Sequence, residues 1–463
     1  MYLFAKVFFG KIPALAAATF YILVPYRFLN MYVRGAVAEA FALGLLPFLF
    51  LAVEYLILKK RLSFLFFVFI LSILIMSHNI TVFLTTPLLT LYFLLRIIKK
   101  KKRLELIKEY ISVFILSGLL TAFFWVPALF ESRLTKLADL TEDYRLFFPS
   151  VSEIIYSPWG FGPYLQGDVP GKMSPQIGLI HAGVALIALC LLLWRLIRRH
   201  REEKDMVILG FIGVALICFF LLFPFSLFIW DHTFYLQLVQ HPWRLTGYIV
   251  FSIAFAAGYA ISLIKSKKLA IGVSIFFLLC LVYFNRNHIR VNMYVEFNNP
   301  FESSLTYGPS TTSKDEHMPR LAPRIFEQPP IGNLYASTSG TFTREVWKSN
   351  YHKFTLNLSE SAEFRDNTSY FPGWEMYIDG QKVPILYEKD EFYRLRVQVS
   401  EGKHIIESKF GETWYRLLAD IISMVTFCCI VIITVIQCVL WKKQKTKDFQ
   451  KSHKKSSTAK SAK

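Results

Sequence analysis

Residues 206–230 read MVILGFIGVALICFFLLFPFSLFIW, a run without a single Asp, Glu, Lys or Arg. About 20 apolar residues is the length that carries a helix across the hydrocarbon of a bilayer. Four more charge-free runs share this character, at 110–130, 177–194, 245–264 and 421–441. Five shorter ones, near 12–26, 38–58, 62–77, 80–95 and 269–284, reach the same length once their flanking residues snorkel. The sequence therefore predicts ten spans, with 62–77 and 80–95 forming a tight helical hairpin about His78 and Asn79.

Working outward, the whole composition agrees. The 463 residues are 54% hydrophobic and 16% aromatic, with 44 Phe, and only 18% are charged. Soluble domains carry about 25% charged residues, so a soluble enzyme, a disordered chain and a disulfide scaffold are all excluded. The six cysteines (Cys190, Cys218, Cys280, Cys428, Cys429 and Cys438) all lie in apolar runs and read as packing thiols, neither bridges nor metal ligands.

The net charge of +19 is distributed by side. With a cytoplasmic N-terminus, the segments falling inside hold 29 of the 52 Lys and Arg. The short opposite connections hold only Arg27, Arg34, Arg133, Lys136, Arg145, Lys172 and Arg244. That alternation follows the positive-inside rule and predicts both termini in the cytoplasm. It also reads the basic tail as solvated or facing anionic lipid, and excludes nucleic acid as the partner.

The expected organisation is a transmembrane bundle over 1–286 with an outer loop at 131–176, an extracytoplasmic β-rich domain over 287–412, a final transmembrane helix over 413–441 and a basic cytoplasmic tail over 442–463. Within the β-rich part, Lys353–Leu358, Glu375–Ile378, Val383–Tyr387, Phe392–Val399 and His404–Lys409 read as strands, with turns at Asp379-Gly380 and Glu401-Gly402. Residues 298–350, rich in Pro, Gly, Ser and Thr, read as a long irregular approach. The fold class is thus an all-α polytopic membrane bundle with an extracytoplasmic β-sandwich, whose core holds Phe371 and Trp374.

Ionisable groups at the ends of spans are costly there, so they are the first candidates for function. One stretch, Tyr26 to Glu39, brings Arg27, Arg34 and Glu39 to the outer boundary. Guanidinium forks suit a phosphate or pyrophosphate headgroup; the plainer alternative is interfacial anchoring, with Glu39 paired to Arg34. His78 and Asn79 stand at the tip of the hairpin, and His241 and Arg244 open the span 245–264 from the same side. The outer loop adds Asp139, Glu142, Asp143, Glu153 and Asp168, and an aromatic Gly/Pro segment from Ser157 to Tyr164 that could form a sugar-stacking rim. Glu54, near the inner end of its span, is expected to snorkel or pair with Lys59. No nucleotide loop, HExxH or Cys/His cluster is present, so a divalent cation has no visible ligand motif.

These residues also carry a resemblance. The run Tyr26-Arg27, Tyr32-Val33-Arg34-Gly35-Ala36, Ala38-Glu39 and Leu46-Pro47 resembles the signature of bacterial membrane proteins called 6-pyruvoyl-tetrahydropterin-synthase-related. Ser77-His78-Asn79, Pro242-Trp243-Arg244, Tyr370-Phe371-Pro372-Gly373-Trp374, Asp379-Gly380 and Gly402-Lys403-His404 are similar to the same group and to the YfhO-like membrane proteins. The resemblance implies a polytopic protein of the GT-C glycosyltransferase type, which moves a sugar from a polyprenyl-phosphate carrier to an envelope glycan acceptor at the outer membrane face. A non-catalytic envelope-assembly scaffold and a transporter of lipid-linked glycan are the alternatives. GT-C enzymes carry a catalytic carboxylate in the first outer loop, and here Met1 to Lys6 reads as the inner end of a second span. The expectation is that the family's first span and acidic loop are missing, so the enzyme reading needs them restored.

Overall fold

The computed structural model describes residues 1–60, 62–136, 143–164, 166–167, 169–290, 319–320, 334–336, 340–389 and 393–460. Among these, seven helices are long and apolar enough to cross a membrane: Val37–Ile57, Asn79–Ile97, Leu179–Ile197, Glu203–Leu221, Pro242–Ser262, Lys267–Asn285 and Trp414–Ile436. The other three predicted spans depart from a single long helix, each for a local reason. The first breaks at Pro25, which has no N–H to give and disfavours helix in the residue before it; Lys11–Ile22 and Pro25–Val33 meet at 46°. The run 110–130 breaks at Thr121, between Arg103–Leu120 and Ala122–Glu131. The helix Ser63–Ser77 has only 15 residues, about 22 Å at 1.5 Å per residue, and is joined to Asn79–Ile97 through extended His78 alone. The predicted span 206–230 also ends early. Its helix stops at Leu221, Phe223 is extended before Pro224, and Leu227–His232 forms a separate short helix.

The chain forms two compact units, Met1–Gly118 with Glu142–Glu296 and Leu119–Thr141 with Phe297–Lys463. The first is the helical bundle, built around Thr246–Ser262, which is buried along almost its whole length. Small residues let its neighbours approach closely, the packing device of helices in lipid. A Cβ on Gly258 would meet Ala17 Cβ and Pro13 O at 3.0 Å, and one on Gly247 would meet Leu43 Cδ2 at 2.8 Å. Phe251 and Phe255 of this helix pack against Phe4, Phe50 and Phe211, with centroid separations such as 4.8 Å for Phe4–Phe255 and 5.0 Å for Phe50–Phe251. Glu54 does not pair with Lys59: Arg96 grips it with Nε at 2.6 Å and a terminal nitrogen at 2.8 Å, and Tyr92 donates to it at 2.6 Å. Lys59 instead reaches Glu105 and Glu109. A buried carboxylate takes the rigid bidentate fork and leaves the flexible ammonium to the exposed helix end.

The cysteines are not all packing groups. Cys218 is buried, whereas Cys190, Cys428 and Cys429 are exposed on the surfaces of apolar helices, and these described thiols are free.

The second unit holds two antiparallel sheets. β1 (Leu334–Ala336), β4 (Ala362–Ser369) and β7 (Arg394–Val399) form one, in the order β1-β4-β7. β2 (Gly340–Lys348), β3 (Tyr351–Leu358), β5 (Trp374–Ile378), β6 (Gln381–Val383) and β8 (Gly402–Phe410) form the other, in the order β2-β3-β8-β5-β6. Phe354, Leu356, Met376 and Ile406 from the larger sheet meet Phe364, Leu395, Val397 and Val399 from the smaller in one core, with Trp374 inside it and Phe371 packed at its edge. The predicted strand Val383–Tyr387 is displaced: β6 ends at Val383, ahead of Pro384, which cannot donate to a ladder. β2 runs through the stretch expected to be irregular, and β4 falls where no strand is predicted. Most of 298–333 and residue Phe392 lie outside the described residues.

The Asp379-Gly380 turn forms as expected. Both residues have positive φ, 49° and 81°, between the paired Ile378 and Gln381, the two-residue hairpin geometry that favours Gly and Asp. Gly373 has φ 115° and a Cβ there would meet Gly411 O at 2.6 Å, so the Pro-Gly-Trp motif is a close backbone contact. In the same unit, Ser423 Oγ accepts the Phe123 N–H at 2.9 Å, satisfying a donor at the Thr121 break, and Glu131 is held by Arg416 at 2.6 Å. The last helix continues past the expected span to Lys460.

Candidate site at one end of the helical bundle

The stretch after Pro25 folds as one α-turn followed by a π-helical turn, Leu29–Val33. Gly35 then takes a left-handed φ of 61°, which lets the chain reverse into the helix Val37–Ile57. This turn-and-reverse places Tyr26, Asn30 and Arg34 around the carboxylate of Glu39, in the first turn of that helix. Glu39 Oε1 accepts from Tyr26 Oη at 2.9 Å and from Asn30 Nδ2 at 3.3 Å. Its Oε2 accepts from Arg34 at 3.0 Å and lies 3.5 Å from Nε of Arg244. Arg34 also donates to Asn30 Oδ1 at 2.5 Å. Glu39 is 4% exposed, so this carboxylate is buried between two guanidiniums.

Arg244 comes from the distant turn before the central helix. Gln240, at φ 67°, bends the chain there, and Arg244 donates to Val239 O and Gln240 Oε1, both at 2.8 Å. Trp243, between His241 and Arg244, lies buried under the Arg34 guanidinium at 4.3 Å, a cation–π contact. The His241 ring stacks on Trp243 at 4.8 Å and meets Phe147 edge-on at 4.5 Å.

His78 caps the helix Asn79–Ile97. Its Nδ1 accepts the Thr81 N–H at 3.2 Å, which makes Nε2 the protonated nitrogen of the neutral ring. Burial lowers the imidazole pKa, Glu39 pulls it back up, and the Arg244 and Arg34 guanidiniums lower it further, so His78 stands within electrostatic reach of the whole cluster.

Of the seven residues singled out from the sequence, Arg34, Glu39 and Arg244 are thus in direct contact. His78 is within their field, and His241 joins them through Trp243. Arg27 and Asn79 are both exposed and stand apart from the carboxylate. Among the described residues, the Arg27 guanidinium makes no side-chain hydrogen bond or ion pair; it borders a narrow slot with Tyr21, Tyr26, Asn30, Ala40 and Gly44. Sequence reading missed Tyr26, Asn30 and Trp243 as parts of the site. Tyr26 and Asn30 are spaced i, i+4, on one face with Arg34 a further turn along, and that spacing was the available signal.

The loop beyond the cluster belongs to the same unit. Glu153 closes a capping box on the short helix Val151–Ile155, accepting Ser150 N–H at 2.7 Å. It also accepts from Tyr164 Oη at 3.2 Å and pairs with Lys172. Burial alone would raise its carboxyl, but Lys172 and the Ser150 N–H hold it below the usual carboxylate range. Asp143 pairs with Arg145, while Asp139, Glu142 and Asp168 lie outside the described residues. Among the described residues, no group of three or more His, Cys, Asp or Glu could hold a metal ion.

No curated protein and no solved structure matches this chain. Over residues 1–151, the segment that supplies Tyr26, Asn30, Arg34, Glu39 and His78, the chain matches a family of membrane proteins described as the 6-pyruvoyl-tetrahydropterin synthase related domain.

Proposed function

We propose that this chain is a multi-pass protein of the bacterial cell membrane, with ten spans and both termini cytoplasmic. On this reading its outer face binds the phosphate headgroup of a polyprenyl-linked sugar and serves transfer of that sugar to an envelope glycan acceptor, as the GT-C resemblance implies. One observation carries the reading: a single buried carboxylate, Glu39, is shared by Arg34 and Arg244. Two guanidiniums from separate connections converge on this carboxylate at the end of apolar spans, where ionisable groups are costly and mark functional sites. Arg27, exposed in the short helix before the π-turn, lines the slot with Tyr26 and Asn30. An Arg fork matches phosphate oxygens bidentately in a way a Lys ammonium does not.

A binding role without catalysis is the second reading, and a specific observation favours it. Glu39, Glu153 and Asp231 are each already engaged by a cation, Arg34 and Arg244, Lys172, and Arg145 respectively.

Trp243 under Arg34 provides the probe. The purified chain in nanodiscs is titrated with polyprenyl phosphate, and with polyprenol as the uncharged control, following tryptophan fluorescence. Binding of the phosphate alone is expected, with Arg34→Lys and Arg34→Ala both weakening it by about tenfold, the loss of one good charge-assisted contact of about 1.4 kcal/mol. Equal binding of polyprenol, or full affinity in Arg34→Lys, rejects the proposal.

A further inference from the structure

The loop 150–173 contains a cavity that phosphate binding does not require. Its backbone is closed tightly on itself: Gly162 N–H donates to Gly171 O at 2.7 Å, and Met173 N–H returns to Gly162 O at 3.0 Å. A Cβ on Gly160 would fall 2.2 Å from Lys172 O, so only glycine allows this approach. The closure holds open a cavity of about 420 Å³, within the range of small-ligand sites. Its walls are of two kinds. Tyr156 and Trp159 supply aromatic surface, while Glu153, Lys172, Ser152 and Ser157 supply a carboxylate, an ammonium and two hydroxyls. Trp159 is backed by the His288 ring at 4.3 Å, which fixes its plane. Its Nε1 is buried and has no acceptor among the described residues.

Aromatic faces opposite hydrogen-bonding groups are the chemistry that recognises a pyranose, whose C–H face is apolar and whose rim is hydroxylated. The cavity also stands close to the Arg34–Glu39–Arg244 cluster. Glu153 is bonded to Tyr164, the Tyr164 ring is 6.4 Å from that of Trp243, and Trp243 lies under Arg34. We infer that this cavity is a saccharide-binding subsite, with Trp159 and Tyr156 as the stacking platform and Glu153 and Lys172 as the hydroxyl-binding pair. Its meaning in sugar transfer rests on the proposed function; its existence does not.

The test uses the full chain in nanodiscs and saturation-transfer NMR with methyl glycosides of glucose, galactose, mannose and N-acetylglucosamine. At least one is expected to bind. Trp159→Ala and the exposed Tyr156→Ala should each weaken it by about tenfold, the worth of one aromatic contact. Tyr156→Ala keeps the test decisive if Trp159→Ala fails to fold. Binding of none of the four, or binding indifferent to both aromatic variants, overturns the subsite. Polyprenyl phosphate titrated into the same samples separates the two claims: lost phosphate binding with retained glycoside binding rejects only the proposed function.

Discussion

At the scale of single residues, Glu39 decides most. It accepts from Tyr26 and Asn30 and pairs with both Arg34 and Arg244. Removing one partner of a buried ion pair costs about 3–5 kcal/mol, because the remaining charge stays desolvated. Glu39→Gln should therefore lower the thermal unfolding temperature of the purified protein. The same change removes the anion that competes with an incoming phosphate, so polyprenyl phosphate should bind more tightly to Glu39→Gln than to the wild type. A variant that is destabilised and also binds more weakly would mean that Glu39 positions the guanidiniums and does not compete with the ligand. Arg34, Glu39 and Arg244 were legible because each is an ionisable residue at the end of an apolar run. Trp243 stands out in the sequence only as the middle of Pro242-Trp243-Arg244, and its position under Arg34 depends on a contact between residues 209 apart in sequence, which no local pattern encodes.

At the scale of elements, the apolar runs announced the helices but not their breaks. Pro25 and Pro224 sit inside charge-free stretches, so hydropathy passes over them while the backbone cannot. In the sheets, β4 was missed for a different reason. Its inward positions are Ala362, Phe364 and Asp366, and the third breaks the alternation with a carboxylate. Asp366 is fully buried because His352 Nδ1 meets it at 2.7 Å and Ser408 donates to it at 3.0 Å, partners on β3 and β8. Nothing in the local pattern reveals partners 14 and 42 residues away.

Two predictions belong to this scale. Gly258 is where the central helix touches Ala17 and Pro13. Gly258→Val should cost about 1–3 kcal/mol by overpacking, read as a lower unfolding temperature, whereas Gly272→Val, with open space around it, should not. The second concerns the β5–β6 turn, where Asp379 binds His404 Nδ1 at 2.6 Å and the Ile405 N–H at 2.8 Å. Asp379 raises the His404 pKa above its ordinary 6.5. The contribution of the pair is thus complete below pH 6.5 and is lost as pH rises through the higher folded value. In turn the Ile405 N–H and His404 hold Asp379 below its ordinary 3.8, so the same contribution is lost in acid as pH falls through that lower value. Amide exchange at Ile405 should quicken above the His404 titration beyond its intrinsic rise with pH. His404→Gln should remove that excess, and an excess that persisted in the variant would assign it elsewhere.

At the scale of the whole molecule, one chain carries a helical membrane bundle and an antiparallel sheet domain, and the Arg34–Glu39–Arg244 cluster lies at one end of the bundle. The element types were legible because a chain with 18% charged residues and long apolar runs has few other ways to bury its surface. The number of full spans was less so, because composition does not see a 15-residue helix or a broken one. The central claim is that the Arg34–Glu39–Arg244 cluster opens to the outer face, where a lipid-linked sugar would meet it. Labelling of whole cells with a membrane-impermeant thiol reagent tests this most directly, in a background with the native cysteines replaced. Gly171→Cys, in the loop beside the cluster, should label on intact cells, and Lys267→Cys, at the opposite end of the bundle, only after permeabilisation. The reverse pattern would place the cluster on the cytoplasmic side and contradict the account.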